Sequence, residues 1–263
     1  MRIYILTRGR ETRQKTLSAF STALRSNTVL VAHPDDQQHQ VPEDTQVVRV
    51  PVKHTKYLGN VRQWVVDSHD VKRLGSHIVL IDDDFVFQIR RPEMPTHFRR
   101  STPKQVDALF KKIDRLLGKY AEVGVVMRQH QHMKPDLDLM YNTRINGILG
   151  FNVDTLRAKR IRFDRLPVMT DFDACLQLLR AGCGNVQIMD HSYGQIGKQS
   201  GDKGGCSVYR TLDLQREGAL GLKKLHPDFV KIVEKETVMS WGGQKRTDVV
   251  VSWRGAAKAG GLI

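Results

Sequence analysis

Three consecutive aspartates stand at the end of an apolar run in HIVLIDDDFVF, residues 77–87. Like charges in neighbouring positions repel one another unless a positive group lies among them. A strand end followed by a turn accounts for one or two aspartates, because Asp is common in turns, but it accounts poorly for three. Mg²⁺ or Mn²⁺ takes few carboxylate ligands and completes its shell with substrate phosphates. The segment therefore predicts a cation site at Asp82, Asp83 and Asp84 that serves a phosphorylated substrate.

A second acidic pair lies in TDFDACLQLLRAG, residues 170–182, which has the pattern of a helix. Thr170 is the predicted N-cap, with Asp171 and Asp173 in the first turn. Two interpretations are open: the carboxylates offset the helix dipole, or one of them is a catalytic base beside the cation site. A rival metal site at His130 and His132 lacks a nearby Cys or Glu to complete a zinc set.

The elements that must position these side chains alternate along the chain. The clearest helix covers 102–118, where Thr102 is the N-cap, Pro103 the first residue and Gln105 the partner in a capping box. Strand and helix in alternation predict an α/β, Rossmann-like, mostly parallel sheet with helices on both faces. Ligands of such sheets bind beyond the carboxyl ends of the strands, where the aspartates stand. Short β-branched runs predict the strands at 3–6, 29–32, 47–50, 77–81, 123–127, 145–151 and 186–189.

The last third of the chain has a different pattern. GQIGKQSGDKGGCS at 194–207 holds five glycines and two lysines, Lys198 and Lys203, and predicts a loop without a core pattern. A helical region and a basic tail follow. We therefore expect a catalytic core over 1–195, and over 196–263 a lid loop with a small helical, basic C-terminal extension of the same domain.

Composition limits the partners and the compartment. The 263 residues carry a formal net charge of +14, which predicts a polyanionic partner or a phosphorylated ligand, although solubility alone is an alternative. Three cysteines without a CxxC pair favour a reducing compartment. The apolar run near the start is too short for a signal peptide, and no run approaches the roughly 20 apolar residues of a membrane span. We expect a cytoplasmic protein with no membrane partner; the sequence leaves the oligomeric state open.

The order of these parts resembles the GT-A glycosyltransferases, a nucleotide-sugar-dependent fold with an Asp-x-Asp signature. In that family the first strand ends in a nucleotide-binding loop, and a helix before the signature carries a Gly-Asn-x-Arg-like stretch. A strand with small residues and an acidic helix start come after the signature. The matching segments here are Thr7-Arg8-Gly9-Arg10, LGNVRQW with Arg62, Asp82-Asp83-Asp84, INGILGF, and TDFDACLQLLRAG.

The resemblance implies roles for particular residues. Thr170 stands where the family usually has Glu, so only Asp171 carries over, as the catalytic base of an inverting transfer. Asp82 and Asp84 are the implied ligands of Mn²⁺ or Mg²⁺, together with His191, which follows the next strand. The implied donor is a nucleotide-diphosphate sugar, expected to be a UDP-sugar. Its binding residues are Thr7, Arg8, Arg10, Arg62, Asp82 and Asp83, with Lys198 and Lys203 closing over the pyrophosphate.

Three motifs in the tail narrow the resemblance: GGCSVYRT at 204–211, LHPDFVK at 225–231 and SWRG at 252–255. They are similar to the TET-associated glycosyltransferases of bacteriophages. That similarity implies DNA containing 5-hydroxymethylcytosine as the acceptor and, for a phage protein, the host cytoplasm as the location. Basic residues at 90–100, at 157–165 and in the tail are then expected to contact DNA phosphates, with the target base flipped into the pocket. The aromatic residues that could stack on that base are Tyr141, Phe151, Tyr193 and Trp241.

Two other enzyme classes remain open at this point. A glycosyltransferase acting on a protein or glycan would share the fold but not depend on DNA. A sugar nucleotidyltransferase predicts a Gly-rich basic loop after the first strand, whereas TRGRETRQK there has one glycine. A non-catalytic DNA-binding module would account for the charge but not for the aspartates.

Overall fold

The computed structural model describes residues 1–128, 137–195, 204–237 and 243–263. Lys198, Lys203, His130, His132 and Trp241 lie outside these ranges. The strands are β1 Arg2–Thr7, β2 Thr28–Ala32, β3 Gln46–Arg49, β4 His77–Asp82, β5 Phe85–Arg91, β6 Met94–Arg100, β7 Glu122–Met127, β8 Leu139–Tyr141, β9 Leu149–Asn152, β10 Asn185–Gln195, β11 Val230–Glu236 and β12 Lys245–Val251. The helices are α1 Lys15–Ser18, α2 Thr22–Arg25, α3 Leu58–Ser68, α4 Val71–Leu74, α5 Pro103–Leu117, α6 Val153–Ala158, α7 Thr170–Arg180, α8 Leu212–Leu225 and α9 Trp253–Ala259.

Within the described residues the central sheet has ten strands, in the order β3-β2-β1-β4-β9-β7-β10-β5-β6, with β8 paired to β10. β1 runs parallel to β2 and β4, and β7 runs parallel to β10. β9 is antiparallel to both β4 and β7, so those two strands share a direction across it. Among these ten strands, β5, β8 and β9 run antiparallel to the other seven, which share one direction. The prediction of a mostly parallel sheet is confirmed.

Helices cover both faces because successive strand side chains point to opposite sides. Ile3 and Ile5 of β1 pack in one buried layer with the apolar stripe of α5. Tyr4 and Leu6 of the same strand pack in the other layer, against α3, α6 and α7. The two layers confirm the predicted covering of both faces. Among the described helices, none has the length and apolar character needed to cross a membrane.

Helix α5 begins where the sequence predicts. The Thr102 side chain accepts a hydrogen bond from the Gln105 backbone N–H at 3.3 Å, and Gln105 Oε1 accepts one from the Thr102 N–H at 2.9 Å. Pro103 is the first helical residue and Gly118 the C-cap. Local side-chain chemistry therefore determines both ends of this helix.

The predicted strand at 145–151 is shorter in the structure and begins only at Leu149. Gly147 adopts φ +69°, which interrupts extended backbone. The Tyr193 hydroxyl donates to the Asn146 carbonyl at 2.9 Å and holds this bend against β10. The predicted strand at 186–189 is longer and runs to Gln195.

The C-terminal extension packs on α7. Leu222 of α8 and Ala256 of α9 lie in one buried cluster with Leu176 and Leu179 of α7. β11 and β12 form an antiparallel pair that contacts α8. This packing supports the helix whose first turn carries Asp171.

Candidate active site

The acidic triplet lies at the carboxyl edge of the sheet. Asp82 is the last residue of β4 and is in register with Leu6 of β1. The chain leaves β1 at Thr7 and enters the loop that carries Arg8 and Arg10. Adjacent parallel strands thus bring the predicted nucleotide loop and the triplet together, as expected for an α/β sheet.

The positive group among the aspartates is Arg10. Its Nη1 atom contacts Asp83 Oδ1 and lies 3.2 Å from Asp84 Oδ2. Asp83 is 2% exposed, and its second oxygen accepts a hydrogen bond from the Thr7 hydroxyl at 2.5 Å. Burial raises the pKa of Asp83, and Arg10 opposes that rise. Thr7 and Asp83, both predicted to bind the donor, are therefore engaged in holding Arg10.

Further contacts fix the loop after β1. Gln14 Nε2 donates to Thr7 Oγ1 at 3.0 Å and to the Arg10 carbonyl at 2.8 Å. Gly9 adopts φ +64°, and its backbone N–H donates to Asp36 Oδ1 at 2.9 Å. No motif in the sequence marks Gln14 and Asp36 as site residues, because their contacts depend on the course of the loop. The loop is thus held in place before any ligand arrives.

Asp82 and Asp84 are the two carboxylates of the triplet that suit a divalent cation. Burial raises the pKa of Asp82 to about 7; Arg62 opposes the rise, while Asp84 and Asp83 add to it. A cation between carboxylates of like charge would relieve this repulsion. Across the described residues, no group of three His, Cys, Asp or Glu side chains is placed to hold a metal ion. The two carboxylates therefore fit a partial ligand set, of the kind that Mg²⁺ and Mn²⁺ accept when phosphate oxygens complete it.

The structure places His191 within β10, before the residue of that strand that contacts the triplet. His191 is paired with Ile89 of β5, and β10 continues for four residues to Gln195, whose Nε2 lies 3.1 Å from Asp84 Oδ1. At about 3.3 Å per residue, roughly 13 Å separates the backbone positions of His191 and Gln195 along the strand. His191 Nδ1 lies 3.0 Å from Asp190 Oδ1. The strand extends beyond its predicted end and Gln195 contacts the triplet, while the role of His191 as a cation ligand stays a prediction.

Helix α7 begins differently from the prediction. Its N-cap is Met169, in the left-handed conformation at φ 61°, and Thr170 is the first helical residue. The Thr170 hydroxyl accepts a hydrogen bond from Arg62 Nη1 at 2.8 Å, and Arg62 is buried. Arg62 therefore ties the predicted Gly-Asn-x-Arg-like stretch on α3 to the start of α7.

The two carboxylates in the first turn of α7 have different surroundings. Asp173 is fully buried and contacts Arg165 Nη2 at 2.9 Å and His226 Nε2 at 2.8 Å. The Asp171 side chain is 20% exposed, and its Oδ2 lies 3.8 Å from Arg144 Nη2. Asp173 is therefore a structural residue, and Asp171 is the carboxylate of the pair that is open to a substrate.

Tyr193 marks the centre of the site. Burial raises the pKa of its phenol; Asp82 and Asp171 raise it further, whereas Arg144 and Arg62 lower it. The charged groups that shift the pKa of Tyr193 come from four separate segments of the chain. The Tyr193 ring packs on Phe85, directly after the triplet, and its hydroxyl donates to the carbonyl of Asn146, two residues from the Arg144 that lies 3.8 Å from Asp171.

The aromatic candidates for base stacking differ in their exposure to solvent. Tyr193 and Phe151 are fully buried, and Tyr193 packs on Phe85 with the ring centres 4.5 Å apart. Tyr141 is 53% exposed. Trp241 is outside the described residues. Tyr141 is therefore the candidate among the described residues that has an accessible ring.

The segment after the lid loop contacts the β1 loop. The Gly205 N–H donates to the Arg8 carbonyl at 2.9 Å. The Tyr209 hydroxyl accepts from the Leu58 N–H at 3.1 Å and donates to Cys206 Sγ at 3.2 Å. Residues 204–209 therefore connect the end of the predicted lid to the start of α3.

Three arginines of the basic stretch at 157–165 make contacts within the fold, whereas Lys159 and Arg160 are exposed. Arg157 Nη2 donates to the Val66 and His69 carbonyls, both at 2.7 Å. Arg162 pairs with Asp164, and Arg165 with the buried Asp173. The stretch at 90–100 differs, because it includes the exposed edge strand β6 with Arg99 and Arg100.

A mostly parallel sheet with an acidic triplet at its carboxyl edge and an acidic helix start beside it has the arrangement of a GT-A glycosyltransferase. The family model described as TET-Associated Glycosyltransferase matches residues 1–205, and the chain belongs to that family. This match confirms the resemblance to the TET-associated glycosyltransferases and the predicted enzyme class, a glycosyltransferase.

Comparison with solved structures finds similarity to S. aureus TarS 1-349, at 10% sequence identity and a TM-score of 0.48. The similar region covers 85% of this chain and 66% of that one, just under two thirds of the TarS fragment. No curated protein matches the chain.

Proposed function

We propose that this chain moves a sugar from a nucleotide-diphosphate sugar to the hydroxymethyl group of 5-hydroxymethylcytosine in DNA, in a metal-dependent reaction that inverts the anomeric centre. One observation carries the proposal: Tyr193 joins the two acidic segments, because its ring packs on Phe85, directly after the triplet, and its hydroxyl donates to the carbonyl of Asn146, two residues from the Arg144 that lies 3.8 Å from Asp171. Membership of the glycosyltransferase family supports sugar transfer as the reaction.

The donor's diphosphate binds beside the triplet. Arg10, fixed between Asp83 and Asp84, presents positive charge there, and Arg8 and Arg62 add to it. Asp82 and Asp84 would hold Mn²⁺ or Mg²⁺ beside the donor's diphosphate. When bound, the cation neutralises the charge that develops on the departing diphosphate. Lys198 and Lys203 are proposed to close over the diphosphate.

Asp171 accepts the proton of the attacking hydroxyl. The hydroxyl oxygen forms a bond to the anomeric carbon as the bond from that carbon to the diphosphate breaks, and the nucleoside diphosphate leaves. Attack on the face opposite the leaving group inverts the centre. Arg144, 3.8 Å from Asp171 and stacked at 4.0 Å on Phe172, orients the carboxylate. General-base catalysis of this kind contributes roughly 10²–10⁴-fold to rate.

DNA is the proposed acceptor because the chain carries a net charge of +14, which a sugar nucleotide alone does not require. The resemblance of the tail motifs to phage enzymes supports the modified base. Cytosine without the hydroxymethyl group has no hydroxyl nucleophile, so plain DNA binds through its backbone but receives no sugar.

Mass spectrometry of nucleosides tests the proposal. Plain and hydroxymethylated duplexes of one sequence are incubated with the protein, Mn²⁺ and a panel of uridine and guanosine diphosphate sugars. We expect a mass gain of one sugar on hydroxymethylcytosine alone. Efficient transfer to a protein or glycan, with no DNA product from any donor, would replace the DNA acceptor with that acceptor.

A further inference from the structure

A basic cavity of about 360 Å³ lies next to the active site, between the start of α1 and the β5–β6 hairpin. Its walls include three cationic side chains and three hydroxyl side chains: Arg13, Lys15 and Arg100, and Thr12, Ser18 and Ser101. No Asp or Glu is among the described residues that line it. A cavity with this lining favours an anion.

The cavity shares its walls with the active site. Phe85, which lines it, directly follows Asp84. Gln14, which also lines it, donates to the carbonyl of Arg10, the residue held among the aspartates. An anion bound in the cavity is thus close to the reacting groups without occupying their place.

The cationic side chains of the cavity are accessible from outside. Arg13 and Arg100 are exposed, and Lys15 is half-buried. The floor is apolar and rigid, since Phe85 and Phe87 are each only 2% exposed. A long polymer that runs along the edge strand β6 could therefore place one charged group in the cavity.

Two sources of phosphate compete for this cavity: the donor's diphosphate and the backbone of the acceptor. The donor is already served by Arg10 and Arg62 on the other side of the triplet. The acceptor is a long polymer that can reach the exposed edge strand β6, and Arg100 at the end of that strand lines the cavity. We propose that the cavity holds a backbone phosphate of the acceptor DNA strand beside the modified nucleotide. This inference rests on the proposed function.

Removal of single charges tests the assignment. Arg100→Gln and Lys15→Gln each remove one positive charge from the lining of the cavity, and the double variant removes two. Lys72→Gln is the matched control, since Lys72 is exposed on α4, which precedes the opposite end of β4. Affinity for duplex DNA is measured at several salt concentrations, and the Kd for the free nucleoside diphosphate is measured for the same proteins.

Each lost phosphate contact should lower the salt slope by about one and weaken DNA binding about eightfold near ~0.1 M salt. The loss should be equal for plain and hydroxymethylated DNA, because phosphate contacts do not read the base. The KM for DNA should rise while the Kd for the nucleotide stays constant, and Lys72→Gln should match the wild type.

Contrary results separate this inference from the proposed function. If the wild-type protein modifies DNA and the cavity variants keep the wild-type salt slope, the cavity does not bind a DNA phosphate. The proposed function is then unaffected. A raised Kd for the nucleotide with unchanged DNA affinity assigns the cavity to the donor. A wild type that binds no DNA at low salt overturns both.

Discussion

We predict that Glu122→Gln makes the protein more stable at alkaline pH. Glu122 is fully buried in β7, and its Oε2 accepts a hydrogen bond from Asn185 Nδ2 at 2.8 Å. Burial raises its pKa to about 8; hydrogen bonds from Asn185 and Cys175 oppose the rise, and Asp171 adds to it. Cys175 lies one turn beyond Asp171 on α7, so this polar cluster joins the sheet to the helix that carries the proposed base.

The size of the effect follows from the two pKa values. The unfolded carboxyl titrates near 4.5 and the folded one near 8. Between these values the folded state binds the proton more tightly, so the stability from the protonated carboxyl is complete below pH ~4.5 and is lost as pH rises through about 8. The two pKa values differ by about 3.5, which corresponds to about 5 kcal/mol in the free energy of unfolding. About 3 kcal/mol of this stabilisation is already lost at pH ~7. The amide does not ionise, yet it keeps an oxygen for Asn185.

Urea unfolding of both proteins at about pH 5, 7 and 8.5 measures the difference in free energy of unfolding. We expect near equality at the lowest pH and a difference of several kcal/mol in favour of the variant at the highest. Glu217→Gln is the control, since Glu217 is exposed on α8, and it should show no such trend. A difference between wild type and Glu122→Gln that is the same at all three pH values would refute the reasoning.

Three further changes test separate parts of the site. Asp84→Ala should abolish Mn²⁺-dependent transfer and leave the melting temperature unchanged or raised, because it relieves like-charge repulsion; full activity after chelator treatment would contradict the metal assignment. Arg10→Met should lower the free energy of unfolding by about 3–5 kcal/mol, because Asp83 would be buried without its partner, and denaturant unfolding at neutral pH checks this. Gly147→Ala should also destabilise the fold, by about 1–3 kcal/mol in the same assay, because φ is +69° and a Cβ would lie 2.3 Å from the Tyr193 hydroxyl oxygen.

Local chemistry made much of the fold predictable. The capping box of Thr102 and Gln105 determines the start of α5 from neighbouring residues alone. The alternation of strands and helices placed the aspartates at the carboxyl edge of a parallel sheet, since that follows from chain direction. The family resemblance pointed to Asp171 as the base. Only the structure shows that Asp171 is partly exposed whereas Asp173 is buried.

Contacts between distant segments were not predictable. Arg10 and Asp83 are 73 residues apart in the chain, and the sequence contains no sign that Arg10 provides the positive charge among the aspartates. The end of β10 was not predictable either, because a strand's length depends on its pairing partner, and β5 extends β10 to Gln195. The arginines at 157–165 suggested a DNA surface, yet Arg157 binds backbone carbonyls of α3 and the residue after it. Charge in a sequence does not reveal whether the fold uses it.

The proposed base is tested most directly by the transfer rate of Asp171→Asn on hydroxymethylated DNA with saturating donor and Mn²⁺. Asp213→Asn is the matched control, because Asp213 is likewise an acidic residue in the first turn of a helix, α8, and is exposed. We predict that Asp171→Asn slows transfer by about 10²–10⁴-fold while the Kd for the donor is unchanged, and that Asp213→Asn transfers at the wild-type rate. Transfer by Asp171→Asn at close to the wild-type rate would contradict the proposal and leave Asp171 as a helix-dipole residue.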